Sequence, residues 1–366
     1  MIPIFQPSVP PSVVDRVCET LRAGWLSEGR QVKAFEEAFC RQFAQPRALA
    51  LNSGTAALHL AVLGAGVGPG DEVITTAQTF VATAMAVLYV GATPVFADLQ
   101  PGGPNLDPAE IERRITPRTR AILVVHYGGY PCDMDEIGAI AARHGLKVIE
   151  DAAHALGASY RGRPVGTLGD FSIFSFQAIK QLTTGDGGML VCRTAEDHQL
   201  AYRRRWFGID RANRKPGPGG LLEWDITELG YKYHMNDLAA AMGLAQLELF
   251  EAAQARRQAL NQEFRTALAG VSGLTLLEEK ADRVSGCWLF TVCVQRRADF
   301  IRALNSRGVQ AAVWHQRIDR NSLLGGERPD LPNQTRFNLE EVSIPCRDSL
   351  TEPEVTAVLA AVKAGW

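Results

Sequence analysis

From Arg47 to Cys192 short, almost wholly apolar runs alternate with segments of helical period, and few architectures accept that rhythm. Residues 48–51, 72–75, 94–97, 121–125 and 147–150 read as strands, with helices over 56–63, 80–90, 108–114 and 134–143 between them. Two further strands, 171–176 and 188–192, follow. A strand without polar alternate positions is buried on both faces, and strands separated by helices build a mostly parallel sheet between helical layers. Such a sheet collects ligands at the carboxyl ends of its strands. The fold class expected is therefore α/β.

The flanking segments complete the outline. Pro3, Pro7, Pro10 and Pro11 block an early helix, so residues 1–30 read as an irregular arm with a short helix from about Ser12. A helix over 30–43 puts Val32, Phe35, Phe39 and Phe43 on one core-facing stripe. Residues 195–206 read as a helix, and 210–222, rich in proline, glycine and charge, as a mobile loop. A long alanine- and leucine-rich helix over 236–268 leads to a smaller unit: strand 287–294, helix 297–307, strand 309–313 and a last helix over 352–363. The domains expected are 1–245, arm and large domain, and 246–366, linking helix and small domain.

Composition narrows the function classes. A chain of 366 residues can bury a large core, and its net charge of −2, with acids and bases interspersed, offers no basic field for nucleic acid or an anionic membrane. The opening MIPIFQPSVPP does not read as a charged-then-apolar leader, and no run approaches the roughly 20 apolar residues of a membrane span, so the cytoplasm is the expected location. Seven cysteines without a CxxC pair read as buried thiols rather than a disulfide framework or a zinc site.

The chemistry concentrates between Val148 and Leu190. One strand delivers Glu150 and Asp151 at its carboxyl end; the next delivers Lys180 just before Thr183-Thr184-Gly185-Asp186-Gly187-Gly188. Lysine is scarce, seven against thirty-one arginines, so this one is not generic solubilising charge. It is either a strand-end lysine in water or a buried amine, whose lost solvation lowers its pKa and makes it a nucleophile suited to a Schiff base. Upstream, Ser53, Gly54 and Thr55 follow a strand and open a helix, where free amides and hydroxyls suit a phosphate, or where Ser53 or Thr55 simply caps the helix. The glycine-rich run 64–70 follows a helix and contains Pro69, which is the wrong setting for a dinucleotide loop. Phe80 begins the helix after Thr75-Thr76-Ala77-Gln78-Thr79, as a core residue or as a ring facing a ligand.

SGTAALHLA, EDAAHALGA and GDFSIFSFQAIKQLTTGDGG, which follow one another in the family's order, resemble the DegT/StrS-type (DegT/DnrJ/EryC/StrS) sugar aminotransferases. The resemblance runs from GWLSEGRQVKAFEEAF to GYKYHMNDLAAAMGLAQLE and weakens over the last hundred residues. It implies the fold type I, aspartate aminotransferase-like architecture and pyridoxal 5′-phosphate bound at Lys180, with Asp151 keeping the pyridine nitrogen protonated. It further implies phosphate contacts from Ser53, Gly54, Thr55 and Ser175, Phe80 stacked on the ring, and His154 near the phenolic oxygen. Many relatives present an asparagine to the partner subunit's phosphate where Lys232 stands here; Lys232 either takes over that contact in a homodimer with shared sites or faces solvent. The segment 314–320 is expected to border the sugar-nucleotide site, with His315 at it and Arg317 or Arg320 as a diphosphate partner or a surface ion pair. Asp151 with His154 lacks further ligands for a metal. The function implied is amine transfer, with glutamate as donor, to a nucleotide-linked keto sugar. A cyclitol aminotransferase is an alternative; a dehydratase of the same fold has histidine in place of the lysine, and retention of Asp151, Lys180 and the phosphate motif speaks against a non-catalytic relative.

Overall fold

The apolar runs pair into one seven-stranded sheet in the computed structural model, which describes residues 1–210 and 213–366. Its strands are β1 (Ala48–Leu51), β2 (Glu72–Thr76), β3 (Thr93–Ala97), β4 (Thr119–Val125), β5 (Lys147–Asp151), β6 (Phe171–Ser175) and β7 (Gly188–Cys192), in the order β1-β7-β6-β5-β4-β2-β3. β7 runs antiparallel to both neighbours, while β6, β5, β4, β2 and β3 pair in parallel. Parallel pairs need a crossover; helices supply it except between β5 and β6, whose link carries only the short antiparallel pair Ser159–Tyr160 and Arg163–Pro164, and the link from β6 to β7 holds no helix and turns back on itself.

The helices are α1 (Pro11–Ala23), α2 (Arg30–Gln42), α3 (Gly54–Gly64), α4 (Ala82–Tyr89), α5 (Pro108–Arg113), α6 (Met134–His144), α7 (Ala195–Arg204), α8 (Asp237–Leu268), α9 (Arg297–Ser306), α10 (Pro332–Glu340) and α11 (Glu352–Lys363). Alternate strand residues divide between the two faces of the sheet. Leu49, Leu123, Ile149, Ile173 and Leu190 meet Leu58, Ala61 and Val62 of α3 and Ala86 and Val87 of α4 on one side. On the other, Phe174, Met189 and Val191 pack with Val32, Phe35 and Phe39 of α2, and Ile122, Val124 and Val148 with Ile137 and Ile140 of α6. Burial on both faces is why these strands carry so few polar residues.

A second sheet has three antiparallel strands, β8 (Leu274–Leu276), β9 (Phe290–Val294) and β10 (Glu341–Ile344), with β9 central. Helix α8 serves both cores. Leu247 and Phe250 pack beneath the large sheet, and Leu260, Phe264 and Leu268 join Phe300, Val355 and Val358 around the small one. Among the described residues, no helix is long and apolar enough to cross a membrane.

Several local expectations change. Residues 309–313 form only isolated bridges, Val309 with Ile2 and Ala312 with Ser343, and the third strand of the small sheet is β10 instead. Helix α4 starts at Ala82, which leaves Phe80 in the preceding turn. Of the segment 210–222, residues 211 and 212 lie outside the described residues. In the rest, Lys215–Pro216 pairs with Leu222–Glu223 as a small ribbon.

Candidate active site

The carboxyl ends of β1, β2, β5 and β6 open into a cleft whose space, its mouth included, is about 1170 Å³. Ser53, Thr55, Phe80, Asp151, His154, Ser175 and Lys180 line it from the large sheet, and Trp288, Trp314 and His315 close it from the side of the small sheet. Gly129 permits that approach. Its φ is +101°, and a Cβ there would stand 2.8 Å from Cys287 N, in the segment that Trp288 N anchors to Gly128 O at 3.0 Å.

Asp151 ends β5 with its carboxylate buried. Oδ2 accepts from Thr83 Oγ1 at 2.9 Å and Oδ1 from Ala153 N at 3.2 Å. Burial pushes its pKa up, while the two donors and the nearby Lys180 charge pull the other way. Burial has the larger effect, so the carboxyl sits above its ordinary value, with Thr83 and Ala153 fixing its orientation.

Lys180 as a residue is half-buried, but its amine is the enclosed end, with Nζ 3.8 Å from the centroid of the Trp288 ring. Burial lowers the amine's pKa from 10.5 to about 7, against the pull of Asp151. The π face of Trp288 also favours the ammonium, so both neighbours temper the loss of solvent without cancelling it. A lysine in this state presents neutral amine at neutral pH, which an exposed lysine does not. The indole is fixed in turn by Nε1 donating to Ile179 O at 2.9 Å.

Two imidazoles complete the wall. The His154 ring stacks on Trp288 at 3.8 Å between centroids and faces the His315 ring at 5.2 Å. Burial pushes His154 well below its ordinary value and His315 to about 3, each pushed further by the Lys180 charge, so both are neutral at neutral pH. Nδ1 of His154 and Nε2 of His315 are buried without a partner among the described residues, which leaves two polar atoms in the wall for a ligand to satisfy.

At the other end of the cleft, Ser53 caps α3, its Oγ accepting from Ala56 N at 3.0 Å. Capping and anion binding are compatible here, because the amides of Gly54 and Thr55 have no acceptor among the described residues. Ser175 closes on the same turn: a Cβ on Gly54 would stand 3.3 Å from its Oγ. Gly188 keeps the turn tight, since a Cβ there would sit 2.4 Å from Ser53 O.

Sequence reasoning thus placed Ser53, Gly54, Thr55, Phe80, Asp151, His154, Ser175, Lys180 and His315 in one cleft, and the structure brings them together. Phe80 is 58% exposed at the mouth, 6.0 Å from the His315 ring, so it is not a core residue. Three residues are not brought there. Lys232 is exposed, with Nζ 5.7 Å from the Trp206 ring centroid. Arg317 corrects the expectation of a diphosphate partner: it is 1% exposed, and its donors are spent on Asp319, Glu327, Thr335 and the Arg328 carbonyl. Arg320 lies outside the cleft and bonds the side chain of Gln316. Trp288 and Thr83 went unread, and Trp314 was read only as part of the bordering segment 314–320. Trp288 opened an apolar run that looked like core, and Thr83 sat on a helix with nothing in the sequence to aim it at Asp151.

Residues 10–363 match the profile of the DegT/DnrJ/EryC1/StrS aminotransferase family. The spore coat polysaccharide biosynthesis protein SpsC of Bacillus subtilis is 37% identical over 377 aligned positions, covering 99% of this chain and 96% of SpsC. The crystal structure of the sugar aminotransferase CalS13 from Micromonospora echinospora superposes with a TM-score of 0.95 at 35% identity over the whole of both chains. The PLP form of Spr1654 from Streptococcus pneumoniae gives 0.92 at 28% identity, over 99% of this chain and 98% of that one.

Proposed function

The chain belongs to the DegT/DnrJ/EryC1/StrS aminotransferase family, and from that premise we propose that it moves an amino group from glutamate to the ketone of a nucleotide-linked sugar, with pyridoxal 5′-phosphate held at Lys180. The observation that carries the reading is a desolvated lysine amine and a buried, hydrogen-bonded carboxylate in one cleft with an open helix N-terminus. The residues fit the cofactor. The amides of Gly54 and Thr55, with Ser175, suit its phosphate; Asp151 suits its pyridine nitrogen; the unpaired Nδ1 of His154 suits a phenolic oxygen; and Phe80 at the mouth offers a ring face.

When bound, the cofactor supplies an aldehyde that takes up the donor's nitrogen and a ring that spreads negative charge. Asp151, oriented by Thr83 and Ala153, holds a proton on the pyridine nitrogen. Lys180 Nζ, neutral in good part near pH 7, would take the proton from the donor's α carbon and, in the second half-reaction, would give a proton to the sugar carbon that comes to bear the amino group. Trp288 and His315 keep water from that amine, and neutral imidazoles put no competing cation beside it.

Support for a sugar acceptor comes from SpsC, named for polysaccharide biosynthesis, and CalS13, a sugar aminotransferase. The nucleotide and the donor rest on the resemblance of the motifs. Arg320 remains the candidate for the diphosphate, reaching it from outside the cleft. The working unit proposed is a cytoplasmic homodimer with Lys232 turned to the partner's phosphate region. Exposed Leu221, Trp224, Ile226 and Leu229 close before it in sequence suit a covered face. The test is a panel of nucleotide keto sugars with glutamate and the cofactor-loaded enzyme, read as amino sugar by mass spectrometry. Turnover of a free cyclitol ketone and of no nucleotide sugar would overturn the acceptor.

A further inference from the structure

The reacting amine faces an aromatic ring, with Lys180 Nζ 3.8 Å from the centroid of Trp288. An indole has a single donor, and Trp288 spends it on Ile179 O at 2.9 Å, so what it turns to the amine is its π face alone. Because that bond goes to the residue next to Lys180 in the chain, ring and amine are held in register. The ring is buried, with the Trp288 amide tied to Gly128 O at 3.0 Å, the His154 ring stacked on it at 3.8 Å and Phe5 of the N-terminal arm 5.2 Å away. A side chain fixed at this many points supplies orientation as well as bulk.

Any large apolar residue here would exclude water. The indole adds discrimination between two charge states: its face attracts the ammonium, more strongly as solvent is removed, and has no such pull on the neutral amine. The titratable groups around Nζ leave that task to Trp288 and Asp151. His154 and His315 are neutral at neutral pH. On the side of Lys180 away from the cleft, burial pushes the Cys287 thiol up to about 11 and Cys346 further, so both stay neutral, and Arg257 and Arg347 have their charges paired with Asp348 and Glu354. With the cofactor bound as proposed, the Asp151 charge is matched by the proton on the pyridine nitrogen, which leaves the Trp288 face as the ammonium's near partner.

We propose that Trp288 is a positioning residue for the proton transfer: its π face is the seat of the Lys180 ammonium and stabilises the charge that Lys180 acquires when it takes a proton from carbon. In that step the Nζ lone pair gains the proton and the donor's α carbon keeps the bonding pair; the proton is given back to carbon as Lys180 returns to the neutral amine. The part in amine transfer rests on the aminotransferase reading; the contact of ring and ammonium does not.

The test changes the ring's electrons and keeps its shape. Tryptophans bearing successively more fluorine on the benzo ring replace Trp288 in the full chain through a suppressor tRNA; fluorine draws negative charge from the π face and leaves the N–H free to bond Ile179 O. In the cofactor-free protein, the pH dependence of acetylation by acetic anhydride, read on the Lys180 peptide by mass spectrometry, gives the midpoint of the amine. Since the ammonium loses its partner as fluorine is added, the midpoint should fall in the order of fluorine count, by about half a unit or more over the series. The same series in place of Trp314, which lines the same cleft, should leave it unmoved. In the loaded enzyme the donor half-reaction, followed at alkaline pH, should slow in the same order by about threefold, the factor that half a unit carries, with half-saturation by the donor unchanged. A midpoint that fluorine in place of Trp288 does not move, or that the Trp314 series moves equally, overturns the seat. A half-reaction indifferent to the series overturns the role in transfer. Failure of the aminotransferase reading itself looks different: no half-reaction in wild type, with the midpoint still following the fluorine count.

Discussion

In the proposed reaction Lys180 and Asp151 carry the chemistry, and their behaviour follows from what surrounds them. Because the neutral amine is the nucleophile and burial brings its pKa to about 7, uptake of pyridoxal phosphate by the cofactor-free protein should speed up as pH rises from 6 to 8 and then level. A rate still climbing through pH 10 would mean the amine is not desolvated. Asp151→Asn keeps the shape but removes the anion, so the cofactor should stay bound while turnover falls by about two orders of magnitude or more, about 3 kcal/mol in the barrier. Thr83 acts through Asp151. Thr83→Val deletes the 2.9 Å bond to Oδ2, leaves the carboxylate easier to protonate, and should move the acid limb of the pH–rate profile upward. An unmoved limb with reduced turnover would assign Thr83 a packing role only.

At the scale of elements, the cleft depends on a buried polar cluster where the two sheets meet. Gln78, in the turn after β2, donates from Nε2 to His315 O at 2.8 Å and to Glu341 Oε1 at 3.0 Å, and Tyr127 OH donates to Glu341 Oε2 at 2.9 Å. The cluster thus holds His315 over the cleft. Burial raises Glu341 from 4.5 to about 7. A carboxyl whose pKa is higher folded than unfolded favours folding fully below the unfolded value and loses that advantage as pH rises toward the folded one. The loss here spans about pH 4.5 to 7 and amounts to about 3 kcal/mol at most. Glu341→Gln should therefore match wild type in thermal stability at pH 4 and exceed it at pH 8; a variant less stable at both would mean the ionised carboxylate is well compensated.

This cluster also marks the limit of what the sequence makes legible. The large-sheet strands announce themselves because burial on both faces leaves them uniformly apolar. β10 begins with Glu341, a charged residue that only tertiary partners make tolerable, and the sequence reading assigned no strand there. Arg317 shows the same limit from the other side. Its charge suggested a ligand, but Asp319, two residues on, and Glu327 had already claimed it. That the proposed cofactor residues share one cleft was legible because short motifs at strand ends fix their surroundings locally. Trp288 and Thr83 were not, because they reach the cleft only through folding at long range.

The whole molecule places the reacting amine at the junction of two sheets, with Phe80 exposed at the mouth and Lys232 outside it. The proposed homodimer would cover both with its partner subunit. Mixing Lys180→Ala with Lys232→Ala subunits should then restore activity above either parent, since one site of the mixed dimer is free of both lesions; a fully active Lys232→Ala protein or a monomer at working concentration would contradict the shared site. The central claim, that this fold exists to hold a cofactor at one lysine, has a more direct test. The protein is incubated with pyridoxal phosphate, reduced with borohydride and digested, and the seven lysines are resolved by mass spectrometry. The account predicts the cofactor mass on the peptide bearing Lys180, and none in Lys180→Ala; a label on Lys147 or Lys232, or no label at all, would contradict it.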